Sequence, residues 1–180
     1  MARLTTGERV RVLALGAGSA RRTASAAVLA SRLLRWRYGA PQARELLMAP
    51  QDLRTADPSF SGELEFGHFG LSGALAFLGG RSPFEIAPPS AGWARELAGF
   101  GWLRHLRAAG HDKARAMAIG LVLSWIDRPP SREAVAWRPE IVGRRIISWL
   151  ANTPILLDEV DEATYDRITD SLADQLIRLS

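Results

Sequence analysis

Cysteine is absent from this sequence of 180 residues, and lysine occurs only once, at Lys113. Without cysteine the chain can form neither a disulfide framework nor a metal site with thiolate ligands. The 3 histidines are spread over different predicted elements, and no two of them have the i, i+4 spacing of a helical metal site. We therefore expect neither a metal nor a cofactor.

Long hydrophobic runs are missing as well. One of the longest, Ala116 to Ile126, is far shorter than the ~20 residues that span a bilayer. The N-terminus does not show the order of basic, apolar and small residues that marks an export signal. These absences predict no transmembrane segment and, from the sequence alone, a cytoplasmic location.

Motifs that carry catalysis are also lacking. The glycines of "LGAGSARR" lack both the third glycine of a dinucleotide fingerprint and the Gly-Lys-Ser/Thr of a P-loop. No serine stands in a nucleophile elbow, and the acidic residues concentrate on the outer face of the last predicted helix. The residues themselves therefore nominate no catalytic group.

What the sequence does contain is apolar residues and arginine. A hydrophobic content of 47% with a mean hydropathy of -0.03 is typical of a globular domain. Residues 1–44 carry nine arginines against Glu8 alone. Such a segment either binds phosphates, anionic lipids or an acidic polymer, or forms a solvated helix face. Nucleic-acid binding would rest on charge alone, since no recognisable module is present, and we expect none.

The positions of glycine and proline, which end or exclude helices, divide the chain into three segments. Residues 1–43 form a basic leader with one amphipathic helix, Ser19 to Tyr38. Residues 44–90 are rich in proline and glycine, and the short alternation in "ELEFGHFG" and "GALAFLGG" predicts a hairpin. Residues 91–180 have apolar residues three and four apart, which predicts helices.

Four helices are predicted in this last segment, each with its own boundary signals. Ser90 and Asp161 are expected N-caps of the first and fourth helices, Asp112 of the second, and Pro139 stands in the first turn of the third. The stops expected for the first three helices are Gly110, the pair Pro129 and Pro130, and Asn152 with Pro154. The apolar stripe of the fourth helix, from Tyr165 through Ile168, Leu172 and Leu176 to Leu179, still runs near Ser180, so we expect an exposed apolar face there.

Candidate binding residues come from "AWRPEIVGRRIISWL" and "GFGWLRHL". On a helix, Arg145 and Trp149 are four residues apart and share a face, whereas Arg144 is rotated by ~100° from Arg145. Because tryptophan stacks on sugar rings and arginine clamps carboxylates or sulfates, we predict a substrate-binding set of Arg145, Trp149, Trp137 and His105. Alternatively, Trp149 and Ile146 belong to the core, the arginines pair with Glu140 or Asp127, and His105 borders the core.

The segment from Arg44 to Ser180 resembles the N-terminal part of the heparinase II/III-like family of bacterial polysaccharide lyases. The motifs that carry the resemblance are "SPFEIAPPS", "GFGWLRHL" and "RRIISWL", in this order. It implies a mainly α-helical fold, a partial (α/α) toroid of antiparallel helical hairpins behind a Gly/Pro-rich loop and a short β-hairpin. Complete members continue into a β-sandwich domain and cleave uronic-acid-containing polysaccharides by β-elimination.

Because the catalytic residues of that family lie beyond the matched region, the resemblance assigns no catalytic residue to this chain. It implies an N-terminal fragment of a polysaccharide lyase, inactive alone, with two partners: an acidic polysaccharide such as a glycosaminoglycan, and the missing C-terminal part of the same protein. It also makes a periplasmic location an alternative. The alternative function is a non-catalytic helical module that binds an acidic glycan, an anionic surface or a partner protein.

Overall fold

A computed structural model describes residues 49–127 and 135–179, all of which belong to one compact unit, Gln42–Ser180. The predicted leader helix and the stop at Pro129 and Pro130 lie outside the described residues. The expected mainly helical fold with a small β-hairpin is confirmed. In chain order the elements are α1 (Phe60–Glu65), β1 (His68–Leu71), β2 (Ala74–Phe77), α2 (Ala91–Gly99), α3 (Leu103–Ala109), α4 (Asp112–Asp127), a 3₁₀ turn (Val135–Trp137), α5 (Pro139–Ala151), α6 (Thr153–Leu156) and α7 (Glu162–Leu179).

The predicted hairpin is formed by β1 and β2, which pair antiparallel with Phe69 opposite Ala76. Ser72 and Gly73 make the turn, with φ values of 49° and 71°, because a two-residue hairpin connection favours this left-handed backbone. The buried Trp93 indole donates a hydrogen bond of 2.9 Å to the Phe69 carbonyl and so fixes the hairpin on α2. The hairpin thereby closes one side of the helical core.

Most boundary signals act as expected. The Ser90 hydroxyl accepts a hydrogen bond of 3.0 Å from the Trp93 N–H, and Gly110 ends α3 with a φ of 66°. A carboxylate oxygen of Asp161 accepts a hydrogen bond of 2.8 Å from the Thr164 N–H at the start of α7. The cap predicted at Asp112 is wrong by one residue. His111 caps α4 instead, because its Nδ1 accepts a hydrogen bond of 3.1 Å from the Ala114 N–H.

Several features of the helical pattern differ from the prediction. A short helix, α6, begins at Thr153, where Asn152 and Pro154 were expected only to end the preceding helix. The segment ahead of the hairpin contains α1, one and a half turns between Pro58 and Gly67 that the glycine-rich composition concealed. The single helix predicted from Ser90 to Gly110 is broken at Phe100, whose φ is 57°. Its carbonyl accepts a hydrogen bond of 2.5 Å from the Ser148 hydroxyl, so a residue of α5 stabilises the break.

The core is built around α5, which packs against α2, α3, α6 and α7. Phe100 lies at its centre, with the rings of Trp102 and Trp149 at 5.0 and 5.4 Å. The stripe predicted on α7 is only half buried. Ile168 and Leu172 lie in the core, whereas Leu176 and Leu179 are 53% and 41% exposed.

Candidate functional site

The four residues predicted to bind substrate lie in or beside the core. Arg145 and Trp149 share a face of α5, as predicted, but that face is the inner one and both side chains are 0% exposed. Trp137 is half-buried, with its ring 5.1 Å from the guanidinium of Arg145. His105 also is half-buried and lies on α3. The structure therefore brings Arg145 and Trp137 together.

Arg145 links four parts of the fold. Its Nε donates a hydrogen bond of 2.6 Å to Oε1 of Gln175 on α7. Its Nη1 donates to the carbonyls of Ala98 on α2, at 2.9 Å, and of Ala136 on the 3₁₀ turn, at 3.1 Å. The expected ion pairs with Glu140 or Asp127 are not formed, and Asp127 pairs with Arg167 instead. Arg145 therefore holds α2, α5, α7 and the turn together through neutral oxygens.

Aromatic rings complete the surroundings of Arg145. Its guanidinium lies 4.6 Å from the ring of Trp125, and we call Arg145, Trp125 and Trp137 the arginine–tryptophan cluster. Arg178 stacks on Trp137 at 4.2 Å. Burial, with the nearby Arg178 guanidinium, lowers the pKa of Arg145 to about 10, so the side chain remains charged at neutral pH. The rings face this charge and compensate part of its lost hydration.

Trp149 offers no surface to a ligand, and the half-buried His105 is held by contacts within the fold. A sugar cannot stack on Trp149, since the ring has no exposed area and lies edge-on to Phe100. Nδ1 of His105 accepts a hydrogen bond of 2.8 Å from the Asp57 N–H, and its ring contacts that of Phe60 at 5.3 Å. Burial, more than the neighbouring Arg104, lowers the pKa of His105 and favours the neutral form that this bond requires. These contacts match the alternative in which the residues belong to the core, and their role in binding stays a prediction.

On the opposite, outer face of α5 lies an open cleft of about 330 Å³. Its walls come from the segment before α1, the last turns of α2 and the loop after it, and the exposed side of α5. We call it the arginine cleft, and it is lined by Pro50, Gln51, Asp52, Arg54, Arg95, Glu96, Gly99, Gly101, Arg144, Ile147 and Ala151.

Positive charge is in excess in the arginine cleft. Asp52 is bound by Arg54 through two hydrogen bonds, of 2.9 and 2.7 Å, and the bonded guanidinium lowers the pKa of Asp52 to about 2. The other charged residues that line the cleft are Arg95, Arg144 and Glu96. Nε of Arg95 donates to the Ala91 carbonyl of its own helix, whereas Arg144 is exposed and forms no ion pair with a described residue. The cleft thus presents guanidinium groups available to an anionic ligand.

Sequence reasoning missed this cleft because its arginines come from three distant segments. A signal was present on α5, where Arg144, Ile147 and Ala151 recur at spacings of three and four on one face. Ile147 is 62% exposed there, beside Arg144.

The described residues hold no group of three or more histidines, cysteines or acids that could bind a metal. Within the same residues, no helix has the length and apolar character needed to cross a membrane.

Comparison with known proteins gives one informative match to this mainly helical domain. The chain is 31% identical over 142 residues to FtsZ-localized protein C of Caulobacter vibrioides (strain NA1000 / CB15N). The match covers 78% of this chain but only 24% of that protein. No family model and no solved structure matches the chain.

This comparison contradicts the function predicted from the sequence. The similar protein is named for its localisation with FtsZ, not for cleavage of a polysaccharide. On this finding the prediction of a polysaccharide lyase is wrong. The predicted glycosaminoglycan-related and carbohydrate-binding roles are wrong with it. The resemblance to the heparinase II/III-like family itself stays a prediction, since no family model matches.

Proposed function

We propose that this chain is a non-catalytic helical module that associates with a partner protein, and that the partner is FtsZ. The observation that carries the proposal is the similarity to FtsZ-localized protein C, which extends over 142 residues. A module of this kind needs a rigid frame and an accessible surface. The core around α5 supplies the frame, and the arginine cleft supplies an accessible surface with exposed charge beside exposed apolar area.

The module is also proposed to be part of a curved array of helical hairpins. Successive helices α3 and α4 pack together, and α7 packs on both α4 and α5. Such packing supports an arrangement in which each hairpin is laid against the next, as in an (α/α) toroid. The matched protein is about four times as long as the matched region, so an experimental structure of a longer relative is the test of this arrangement.

Direct binding measurements test the association. The purified 180-residue chain is immobilised and titrated with purified FtsZ of Caulobacter vibrioides in biolayer interferometry. We expect saturable binding that weakens as salt is added, because arginines line the exposed cleft. An unrelated protein with the same net charge as FtsZ serves as the control. Equal responses to FtsZ and to this control, or no response to FtsZ, would refute the proposal.

A further inference from the structure

The surface of α5 that faces away from the core carries an unusual pair of neighbours. Arg144 is exposed without an ion pair among the described residues, and Ile147, one turn further on, is 62% exposed. Residues three apart on a helix have their Cβ atoms roughly 5–6 Å apart. A guanidinium and an apolar side chain therefore stand side by side at the wall of a cleft of about 330 Å³.

We infer that the arginine cleft holds an extended, acidic peptide segment of the protein partner, with a carboxylate on Arg144 and an apolar side chain on Ile147. This inference rests on the proposed function and names the ligand chemistry of the site. Guanidinium binds carboxylate through two parallel hydrogen bonds, which makes the contact directional as well as electrostatic.

The spacing of the two contacts specifies the peptide. In an extended strand, side chains two residues apart point to the same side and are separated by about 6.6–6.8 Å. This distance is close to the separation of Arg144 and Ile147 on the helix. The matching sequence has Asp or Glu at one position and an apolar residue two positions away.

The negative groups in the cleft explain why a peptide fits better than a polyanion. Asp52 and Glu96 line the same cleft, and Asp52 is paired with Arg54, which lowers the pKa of Asp52 to about 2. Since Arg54 already pairs with Asp52, the remaining positive excess suits a single carboxylate, whereas a sulfated glycan or an anionic membrane surface would set further negative charges against Glu96. A peptide that carries one carboxylate beside an apolar side chain avoids this repulsion and also uses Ile147 and Pro50.

The test compares Arg144→Glu with Arg81→Glu, the same change of charge at an exposed arginine outside the cleft. FtsZ is titrated onto the full chain and both variants, and thermal melts confirm that each variant is folded. We expect Arg144→Glu to weaken binding by at least roughly tenfold, as for the loss of a charge-assisted hydrogen bond, and Arg81→Glu to have little effect. Ile147→Ala is expected to weaken binding by a smaller factor. Equal binding by the wild type and Arg144→Glu, or equal losses in the two arginine variants, would overturn the inference while leaving the association with FtsZ intact.

A peptide titration separates this inference from the proposed function. The probe is a fluorescent peptide with Asp-Ala-Leu between Gly-Ser flanks, and Asn-Ala-Leu in the same flanks is its control. If the chain does not bind FtsZ, preferential binding of the Asp peptide that disappears in Arg144→Glu would still support the cleft. No preference for the Asp peptide would overturn the cleft. Vesicles containing phosphatidylglycerol form a third arm. If Arg144→Glu loses binding to the vesicles but keeps its binding to FtsZ and to the Asp peptide, the inference of a peptide site is also overturned.

Discussion

Arg144 and Arg145 are neighbours in the chain but lie in opposite environments. Arg145 is fully buried in the arginine–tryptophan cluster, with oxygens of Gln175, Ala98 and Ala136 as its acceptors. Arg144 is exposed in the arginine cleft. The same type of side chain thus stabilises the fold on the inner face of α5, as Arg145, and is accessible on the outer face, as Arg144. Substitutions on the two faces should therefore have different consequences.

The largest difference is expected for apolar residues of α5. Trp149→Ala removes a fully buried ring and leaves a cavity beside Phe100, which should lower the free energy of unfolding by ~3–5 kcal/mol. Ile147→Ala, on the exposed face, should change it by no more than about 0.5 kcal/mol. Urea denaturation followed by circular dichroism measures both. A small loss in Trp149→Ala would show that the ring contributes little to the core.

The two arginines provide the next comparison. Arg145→Ala leaves Gln175 Oε1 and two backbone carbonyls without their charged donor, and we expect a loss of unfolding free energy on the order of 3 kcal/mol. Arg144→Ala should stay within about 0.5 kcal/mol of the wild type. The same urea experiment is used for both variants. Similar stabilities for the two variants would contradict the structural role given to Arg145.

A smaller effect is expected from the pH dependence of stability at His105. Since burial lowers the pKa of His105 in the folded state, the unfolded chain takes up a proton first as the pH falls below the ordinary value of 6.5. The free energy of unfolding should then decrease with falling pH, by at most about 1.4 kcal/mol per unit for this one proton. His105→Gln should reduce this slope between pH 6.5 and 5 in thermal melts. An unchanged slope would contradict the buried neutral histidine.

The smallest effect is expected at the edge of the arginine cleft. Asp52 has its pKa lowered to about 2, so its stabilising pair with Arg54 is complete above the ordinary value of 3.8 and is lost as the pH falls through about 2. Arg54→Ala should return the pKa of Asp52 toward the ordinary value in a carboxylate NMR titration. Because Arg54 is exposed, its removal should cost less than about 1 kcal/mol. A carboxylate that titrates near 3.8 in the wild type would show that the pair does not form in solution.

Local signals explain why the helix boundaries were largely predictable. Ser90 and Asp161 bond to N–H groups three residues ahead, and Gly110 adopts a positive φ that glycine accommodates easily. Nothing comparable marks the break at Phe100, where an aromatic residue has a φ of 57°. That conformation is held by the Ser148 hydroxyl and by ring packing, contacts between residues that are distant in sequence.

The candidate site was less predictable than the fold. The sequence places Arg145 and Trp149 on one helix face and Arg144 on another, and the structure confirms this geometry. Charge nevertheless suggested that Arg145 was accessible, because a buried arginine is rare unless its donors are satisfied. The acceptors of Nε and Nη1 belong to α2, to the 3₁₀ turn and to α7, and no pattern within α5 indicates them.

By itself the sequence determined the hairpin, the helices α4, α5 and α7 and most of their ends, since periodicity, caps and turns depend on residues only a few positions apart. Only the tertiary structure decided which face of α5 is buried and which of its two arginines is exposed in a cleft. The same holds for the arginine cleft, which assembles Arg54, Arg95 and Arg144 from separate segments. The physical reason is that burial and charge compensation depend on the elements that pack against a helix, and these come from distant parts of the chain.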